Sequence, residues 1–552
     1  MPVRSTASKP SAEADSFVHL HVHTEYSMLD GAARIDDLFA EAARQQMPAI
    51  ATTDHGYLFG AYEFWKAGQR HGVKPIIGLE AYLAPGTSRF DRTRVKWGDG
   101  GRDDVSGSGA YTHMTLLAQN NEGMRNLFRM ASLSSLEGHY FKPRMDRDLL
   151  ARYGSGLIAT TGCAGGEIQT RLRMGQYAQA REAAAQFRDI FGPKNFFVEV
   201  MDHGLDVERA TIKDLLRLAD DLSLPLVATN DLHYTHAADA GAHAALLCVQ
   251  SGSALADPGR FKFDSDEFYL KTAAQMRQLF RELPQACDNT LLIAERCEVS
   301  FTEGEGRFMP RFPVPEGESE PSWFAKEVEL GLRRRYAGQV PDDVRRRAEY
   351  ETEVICSKGY AGYFLVVADF IGWAKRNGIR VGPGRGSGAG AMTAYAMGIT
   401  DLDPLQHGLL FERFLNPERM SMPDFDIDFD ERRRGEVIRY VTDKYGDDRV
   451  AQIVTYGTIK AKQAVKDASR VLGYPFAMGE KITKAMPPSV MGKDVSLSGI
   501  FDKDHKRYAE AEQFRQLHDA DPDVAKVVTT ALGLEGLKRQ WGVHAAGVIM
   551  SS

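Results

Sequence analysis

Residues 17–24 read Phe-Val-His-Leu-His-Val-His-Thr. Apolar and polar side chains alternate at period two, which predicts a strand with His21 and His23 on one face near its C-terminal end. Six further short apolar runs follow before residue 290: Pro48–Thr53, Lys74–Leu83, His113–Ala118, Gly156–Thr161, Phe196–Met201 and Pro225–Thr229. Helical patterns such as Ile35–Gln46 and Gln176–Phe191 separate most of them. Repeated β-then-α units predict an α/β fold with a parallel sheet, and seven units are close to the number that closes a (β/α) barrel.

The strand ends hold the chemistry. His21 and His23 close the first strand, and Asp30 follows in the first loop. His55 ends the second, Glu80 lies in the third and His113 in the fourth. Cys163 ends the fifth, and Asp231 with His233 ends the last. In a barrel such ends meet at one mouth. Imidazole and thiolate suit zinc, carboxylate suits manganese or magnesium, and the mixture suits a multi-metal hydrolytic site for phosphoesters. Any one of these residues alone reads more readily as a cap or core group than as a ligand, and Cys163 is the kind of small thiol often found buried. Nine at successive strand ends point to a cluster of divalent metals.

The rest of the composition fits a soluble globular chain. Its 552 residues carry 68 Lys+Arg against 75 Asp+Glu, a net charge of −7, with 43% hydrophobic residues. The length suggests roughly three to four domains. No run reaches the ~18 apolar residues of a membrane span, so no membrane is expected. Met1–Ser16 is polar and reads as a loose tail rather than a signal peptide. Five scattered cysteines (163, 248, 287, 297, 356) do not make a disulfide framework and point to a reducing, cytoplasmic setting. The mild acidity excludes a globally basic nucleic-acid coat and leaves room for a local basic channel.

The motifs His-Val-His (21–23), Thr-Asp-His (53–55), Gly-Leu-Glu (78–80), Thr-His (112–113), Thr-Gly-Cys (161–163) and Asn-Asp-Leu-His (230–233) resemble those of the polymerase and histidinol phosphatase (PHP) domain. That resemblance implies a distorted (β/α)7 barrel over residues 17–290, up to three metals (Zn2+ and/or Mn2+) and phosphoesterase chemistry. Because the ligand set is full, it implies an active metal-dependent 3′–5′ exonuclease rather than a relic.

A second constellation lies further on. Val381-Gly-Pro-Gly-Arg-Gly-Ser-Gly-Ala-Gly390 joins a predicted strand, Ile379–Val381, to a predicted helix beginning near Gly388. Successive glycines let backbone N–H groups approach phosphate oxygens, and a helix N-terminus adds positive potential. A purely structural turn is an equal reading of these residues. Pro423-Asp-Phe-Asp-Ile-Asp-Phe429 predicts a strand with Asp424, Asp426 and Asp428 on one face and Phe425, Ile427 and Phe429 on the other. Three like charges on one face call for cations between them. Two such carboxylates meet the needs of two-metal nucleotidyl transfer.

With Leu-Leu-Phe-Glu-Arg-Phe-Leu-Asn-Pro-Glu-Arg (409–419) between them, these motifs resemble the palm of the family C bacterial replicative polymerases, the polymerase III alpha-subunit family. That resemblance extends from about Phe17 to the end of the chain. It implies that Asp424 and Asp426 are the first catalytic metal ligands, for Mg2+. It implies that Arg385, Gly386 and Ser387 hold the incoming triphosphate and that Arg413 lies near the nucleotide. It also implies that Lys460, Lys462 and Lys466 sit on a mostly helical thumb facing DNA backbone, although a solvated helix face is an equal reading of them.

The implied architecture is a tail (1–16), the PHP barrel (17–290), a linker (291–322), an α+β nucleotidyltransferase-like palm (323–456), a thumb (457–538) and a palm return (539–552). Gly86–Gly109 reads as a surface loop. In the family a third aspartate and a lysine complete the palm in a segment that would lie beyond Ser552. The chain is therefore expected to be an N-terminal fragment that does not extend primers alone. Implied partners are primer–template DNA, deoxynucleoside triphosphates, and a sliding clamp and other replisome subunits through regions beyond the fragment. Two other readings stay open: a stand-alone metallo-phosphoesterase with a structural Asp-rich half, and a non-catalytic barrel that docks a proofreading subunit.

Overall fold

The computed structural model describes residues 15–97, 107–303, 308–416 and 423–552. Most of the predicted tail, parts of the 86–109 loop and of the linker, and 417–422 of the palm motifs lie outside the described residues. The chain forms two compact units, Met1–Phe301 with Tyr456–Gln540, and Thr302–Thr455 with Trp541–Ser552.

The first unit is built on a seven-stranded sheet: β1 (Ala49–Thr52), β2 (Lys74–Leu83), β3 (Thr112–Ala118), β4 (Arg144–Met145), β5 (Leu157–Thr160), β6 (Phe196–Val200) and β7 (Leu226–Ala228). The order is β1-β2-β3-β5-β6-β7, with β4 beside β2. Strand neighbours fall into two buried sets. Ile76, Leu117, Ile158, Phe197 and Val227 gather with Val18, Leu20 and Ile293 of helix Pro284–Arg296. Ile77, Leu116, Ala159, Val198 and Ala228 pack with the other helices. Both faces are covered, which is why the strands read as unbroken apolar runs. Helix Ile212–Leu222 shows the matching pattern, with Leu215, Leu218, Ala219 and Leu222 on its buried stripe.

Two strand expectations need correction. The sheet is not all parallel: β3 runs antiparallel to both β2 and β5. The β2–β3 connection contains no α-helix among the described residues, so the chain turns back along β2 instead of crossing over. The reversal puts His113 at the start of β3, at the same mouth as the C-terminal ends of its neighbours. The second correction is Phe17–Thr24, which forms isolated bridges rather than a regular strand. It still links the sheet edges. Ala51 N and Thr53 N donate to His19 O and Val22 O on one side. On the other, His23 N donates to Leu232 O and Leu232 N to His21 O.

The helical stretch after Tyr456 shares a buried cluster with helix Ala240–Ser251 of the same unit. Val465, Ala468, Val527 and Ala531 meet Ala245, Leu246 and Cys248 there.

The second unit packs helices Glu320–Arg335, Asp342–Ser357 and Ala361–Arg376 around Phe324, Phe364, Phe411 and Phe414. The two strands expected here reduce to one antiparallel bridge, Val381–Phe429. No further strand pairs with them among the described residues, so the segment is extended without a ladder. The predicted alternation nevertheless holds: Asp424, Asp426 and Asp428 are exposed, and Phe425, Ile427 and Phe429 pack against the core. Strands β8 (Val450–Thr458) and β9 (Lys538–Met550) form a separate two-stranded sheet. Among the described residues no single helix is long and apolar enough to cross a membrane.

Candidate functional site

All nine predicted ligand-type residues of the barrel meet at one mouth. Glu80 on β2 is the hub: its carboxylate lies 2.6 Å from His55 Nδ1, 3.0 Å from His113 Nδ1, 3.4 Å from His21 Nε2 and 3.7 Å from His23 Nε2. Cys163 Sγ donates to it at 3.2 Å. Asp231 Oδ1 is 3.3 Å from His21 Nε2 and 3.2 Å from His23 Nε2. Asp30 Oδ2 is 2.7 Å from His55 Nε2. His233 stacks on His23 at 4.4 Å between ring centroids. Three overlapping groups have ligand atoms within 4.8 Å of one another: His23/His55/His233, His21/His23/Asp231 and His55/Glu80/His113.

Six of these buried atoms make no well-directed hydrogen bond, although most of them crowd against one another: His21 Nε2, His23 Nε2, His55 Nδ1, Asp30 Oδ1, Glu80 Oε2 and Asp231 Oδ1. Buried polar atoms left so are costly unless something fills the space between them. The donor set of imidazole nitrogens, carboxylate oxygens and one thiol fits divalent metals. Asp231 sits in the left-handed region at φ +40, a strained backbone at a point of chemistry.

The electrostatics agree. Burial favours the neutral form of His55, yet Glu80 and Asp30 raise it to about 10. His21 is also buried, and Asp231 and Glu199 raise it well above the ordinary imidazole range. His23, buried beside His55 and His233, falls to about 3. A metal must displace the protons on His21 and His55. Metal uptake is therefore expected to release protons and to tighten with rising pH until about 10, where His55 loses its proton unaided. Titration calorimetry in buffers of different ionisation enthalpy measures the release, and uptake without it would contradict this site.

Sequence reading missed Glu199. It is the fourth of the five residues of β6 and reads as one polar residue in an apolar strand. Its fully buried carboxylate accepts from His21 Nδ1 at 2.7 Å and from the hydroxyls of Thr229 (2.6 Å), Thr115 (3.3 Å) and Thr160. It thereby fixes His21 with Nε2 toward the centre. Ser27 does the same for His23 Nδ1 at 2.9 Å, and Asp54 in turn holds Ser27 at 2.8 Å. Glu199→Gln is expected to weaken metal affinity roughly 10- to 100-fold. Unchanged affinity by calorimetry would remove Glu199 from this role.

In the second unit, Arg385 reaches the acidic segment. Its Nη1 lies 3.1 Å from Asp426 Oδ2, and its Nε lies 3.1 Å from Asp428. A small cleft runs between them, lined by Gly382, Gly384, Arg385, Gly388, Thr400 and Asp426. Glycine is required at several positions of this turn. Gly386 has φ +67, and a Cβ on Gly388 would lie 2.8 Å from the Phe425 ring.

The predicted helix N-terminus for phosphate is corrected here. Ser387–Gly390 is a 3-10 turn, and the helix that follows is only Met392–Ala396. Its leading N–H groups, on Met392 and Thr393, already donate to the buried Glu351 carboxylate at 3.0 and 2.9 Å. Arg347 grips Glu351 at 2.6 Å and donates to Gly390 O at 3.2 Å. The positive charge at the turn is that of Arg385, and Ser387 stands at the start of the 3-10 turn. Arg413 is exposed on a 3-10 turn, Phe411–Arg413, and the backbone before that turn crowds Gly390: a Cβ there would lie 2.4 Å from Leu410 O. Lys460 precedes helix Ala461–Val471, Lys462 pairs with Asp494 at 3.2 Å and Lys466 with Glu480 at 2.7 Å.

Residues 19–203 match the family described as PHP domain, and residues 322–552 match the bacterial DNA polymerase III alpha NTPase domain. DNA polymerase III subunit alpha of Mycobacterium tuberculosis (strain ATCC 25618 / H37Rv) is 58% identical over 549 residues, covering 98% of this chain and 46% of that protein. The Mycobacterium leprae (strain TN) protein of that name is 56% identical, covering 97% and 46%. The Thermus aquaticus one is 41% identical, covering 97% and 47%. The chain thus spans about half the length of the curated relatives it matches. Two domain matches in that order, with identity running through both, show that the chain belongs to the bacterial DNA polymerase III alpha-subunit family.

Proposed function

We propose that the barrel is a metal-dependent 3′–5′ exonuclease and that the second unit holds the first part of a DNA polymerase palm. The whole protein is then a DNA-directed DNA polymerase of chromosomal replication. The observation that carries the exonuclease reading is the clustering of buried ligand-type atoms at the barrel mouth, six of them without a well-directed hydrogen bond. Membership of the family carries the polymerase reading.

In the barrel, His21, His23, Asp30, His55, Glu80, His113, Cys163, Asp231 and His233 would hold Zn2+ and/or Mn2+. Such ions supply an ionised water and offset charge on a phosphodiester. The protein's own part is orientation: Glu199 and Ser27 fix the histidine rings, and burial keeps bulk water from the carboxylates. In the palm, Asp424 and Asp426 would bind Mg2+, with Arg385, Gly386, Ser387 and Arg413 toward the triphosphate. Arg385 then exchanges Asp426 and Asp428 for phosphate oxygens. Lys460, Lys462 and Lys466 would meet DNA backbone, the latter two in competition with Asp494 and Glu480. Primer–template DNA and deoxynucleoside triphosphates are the substrates, the sliding clamp and other replisome subunits the partners, and the cytoplasm the location.

The test is elemental analysis of the gently purified chain together with degradation of 5′-labelled single-stranded DNA, with and without EDTA. Stoichiometric metal and EDTA-sensitive loss of 3′ nucleotides are expected. A metal-free chain that leaves DNA intact after Zn2+ or Mn2+ is added would refute the reading.

A further inference from the structure

The barrel rim beside the metal-type centre carries a group of aromatic and cationic side chains that neither unit's core uses. Phe141 is 58% exposed and sits in the left-handed region at φ +63. A bulky aromatic side chain there is a true conformational outlier, and such strain concentrates at ligand-binding sites. The turn that forces it is tight: Tyr140 and Lys142 bridge each other across Phe141. The Arg94 guanidinium lies 4.8 Å from the Phe141 ring centroid, and Tyr140 packs edge-on at 4.6 Å. Lys142 places its ammonium 5.3 Å from the Tyr82 ring centroid.

Tyr82 connects this group to the centre. It lies two residues beyond Glu80 on β2, opposite His113 across the β2–β3 pair. Its ring is 5.2 Å from His113 and 5.9 Å from His55 between centroids. On the other side of β2 it pairs with Arg144 of β4, just after the Phe141 turn. One aromatic layer therefore separates Lys142 from the ligand cluster.

Exposed aromatic faces flanked by cations are how single strands are held without regard to sequence: bases stack, and cations take the phosphates. We propose that this rim is the docking site for the single-stranded 3′ end of DNA, with a base stacked on Phe141 and Lys142 and Arg94 on the backbone. The proposal rests on the exonuclease reading for its choice of ligand. It adds what that reading lacks: how a frayed end is presented to the mouth, and why paired DNA would not be. At a duplex end the 3′ nucleotide is held against its complement and cannot swing out alone onto Phe141.

The test measures binding without cleavage. The 552-residue chain, stripped of metal with EDTA, is titrated into a short single-stranded oligonucleotide bearing 2-aminopurine at its 3′ terminus. Stacking on Phe141 is expected to quench the fluorophore. Phe141→Ala is expected to weaken binding about tenfold and to abolish the quench. Phe141→Trp is expected to retain both, and Phe308→Ala, an exposed phenylalanine of the other unit, should behave as the parent. Lys142→Gln is expected to reduce the slope of log K against log salt by about 0.7, one single-strand phosphate contact.

Phe141→Ala binding within twofold of the parent, with the quench intact, would overturn the proposal. So would displacement of the oligonucleotide by an oligoglutamate peptide at equal concentration, because the rim would then be a general acidic-chain site. Restoring Mn2+ afterwards tests the exonuclease reading separately: tight, quenched binding with no cleavage would sink that reading and leave the docking site standing.

Discussion

Replacing Asp231 with Asn is expected to empty the barrel of at least one metal and to slow exonuclease action about a thousandfold or more, several kcal/mol of barrier. Asp231 Oδ1 lies within 3.3 Å of both His21 Nε2 and His23 Nε2, so it is shared between two of the imidazoles that would hold metal. Its carboxyl stays ionised although burial opposes it, because His21 and His233 hold it far below the ordinary range. Asn keeps the volume and tolerates φ +40 as well as Asp does, so the fold should survive. The charge alone is lost. The check is metal per chain by elemental analysis, the melting temperature, and the rate at which labelled single-stranded DNA is shortened. A folded Asp231→Asn chain that degrades DNA as fast as the parent would eliminate the assignment.

The second large effect lies in the second unit. In the whole-length protein, Asp426→Asn is expected to abolish primer extension and to leave exonuclease action nearly intact, because the two candidate centres belong to different units. Losing one carboxylate that offsets charge on the transferred phosphoryl group costs on the order of several kcal/mol. Asp426 also anchors Arg385 at 3.1 Å, so its loss frees the arginine as well as weakening Mg2+. Ser387→Ala is expected to do less and mainly to raise the KM for nucleotide, since neighbouring backbone N–H groups still reach the phosphates. Extension rates for the two variants beside the parent decide the matter. Normal extension by Asp426→Asn would end the palm reading, and a Ser387→Ala protein equally inactive would give the hydroxyl a larger role.

What was legible in the sequence follows from locality. Strand alternation is a property of neighbouring residues, so the placement of Asp424, Asp426 and Asp428 on one exposed face survived even where no ladder formed. The apolar runs located β1, β2, β3, β5, β6 and β7, and the ligand types at their ends named nine of the residues that the fold gathers there, Glu199 apart. The long, specific motifs also placed the chain in its family.

What only the tertiary structure decided depends on partners distant in sequence. The direction of β3 was set by a helix-free connection that lets β2 and β3 pair antiparallel, and this brings His113 to the mouth. Glu199 could not be distinguished from any strand glutamate until Thr115, Thr160 and Thr229 were seen to converge on it from three other strands or strand ends. The N-terminus of helix Met392–Ala396 was free for phosphate in the sequence, but Glu351, some forty residues earlier, satisfies its N–H groups. A periodic pattern encodes which way a side chain faces. It does not encode which group will meet it there, and hydrogen-bond satisfaction in a buried site is decided by that meeting.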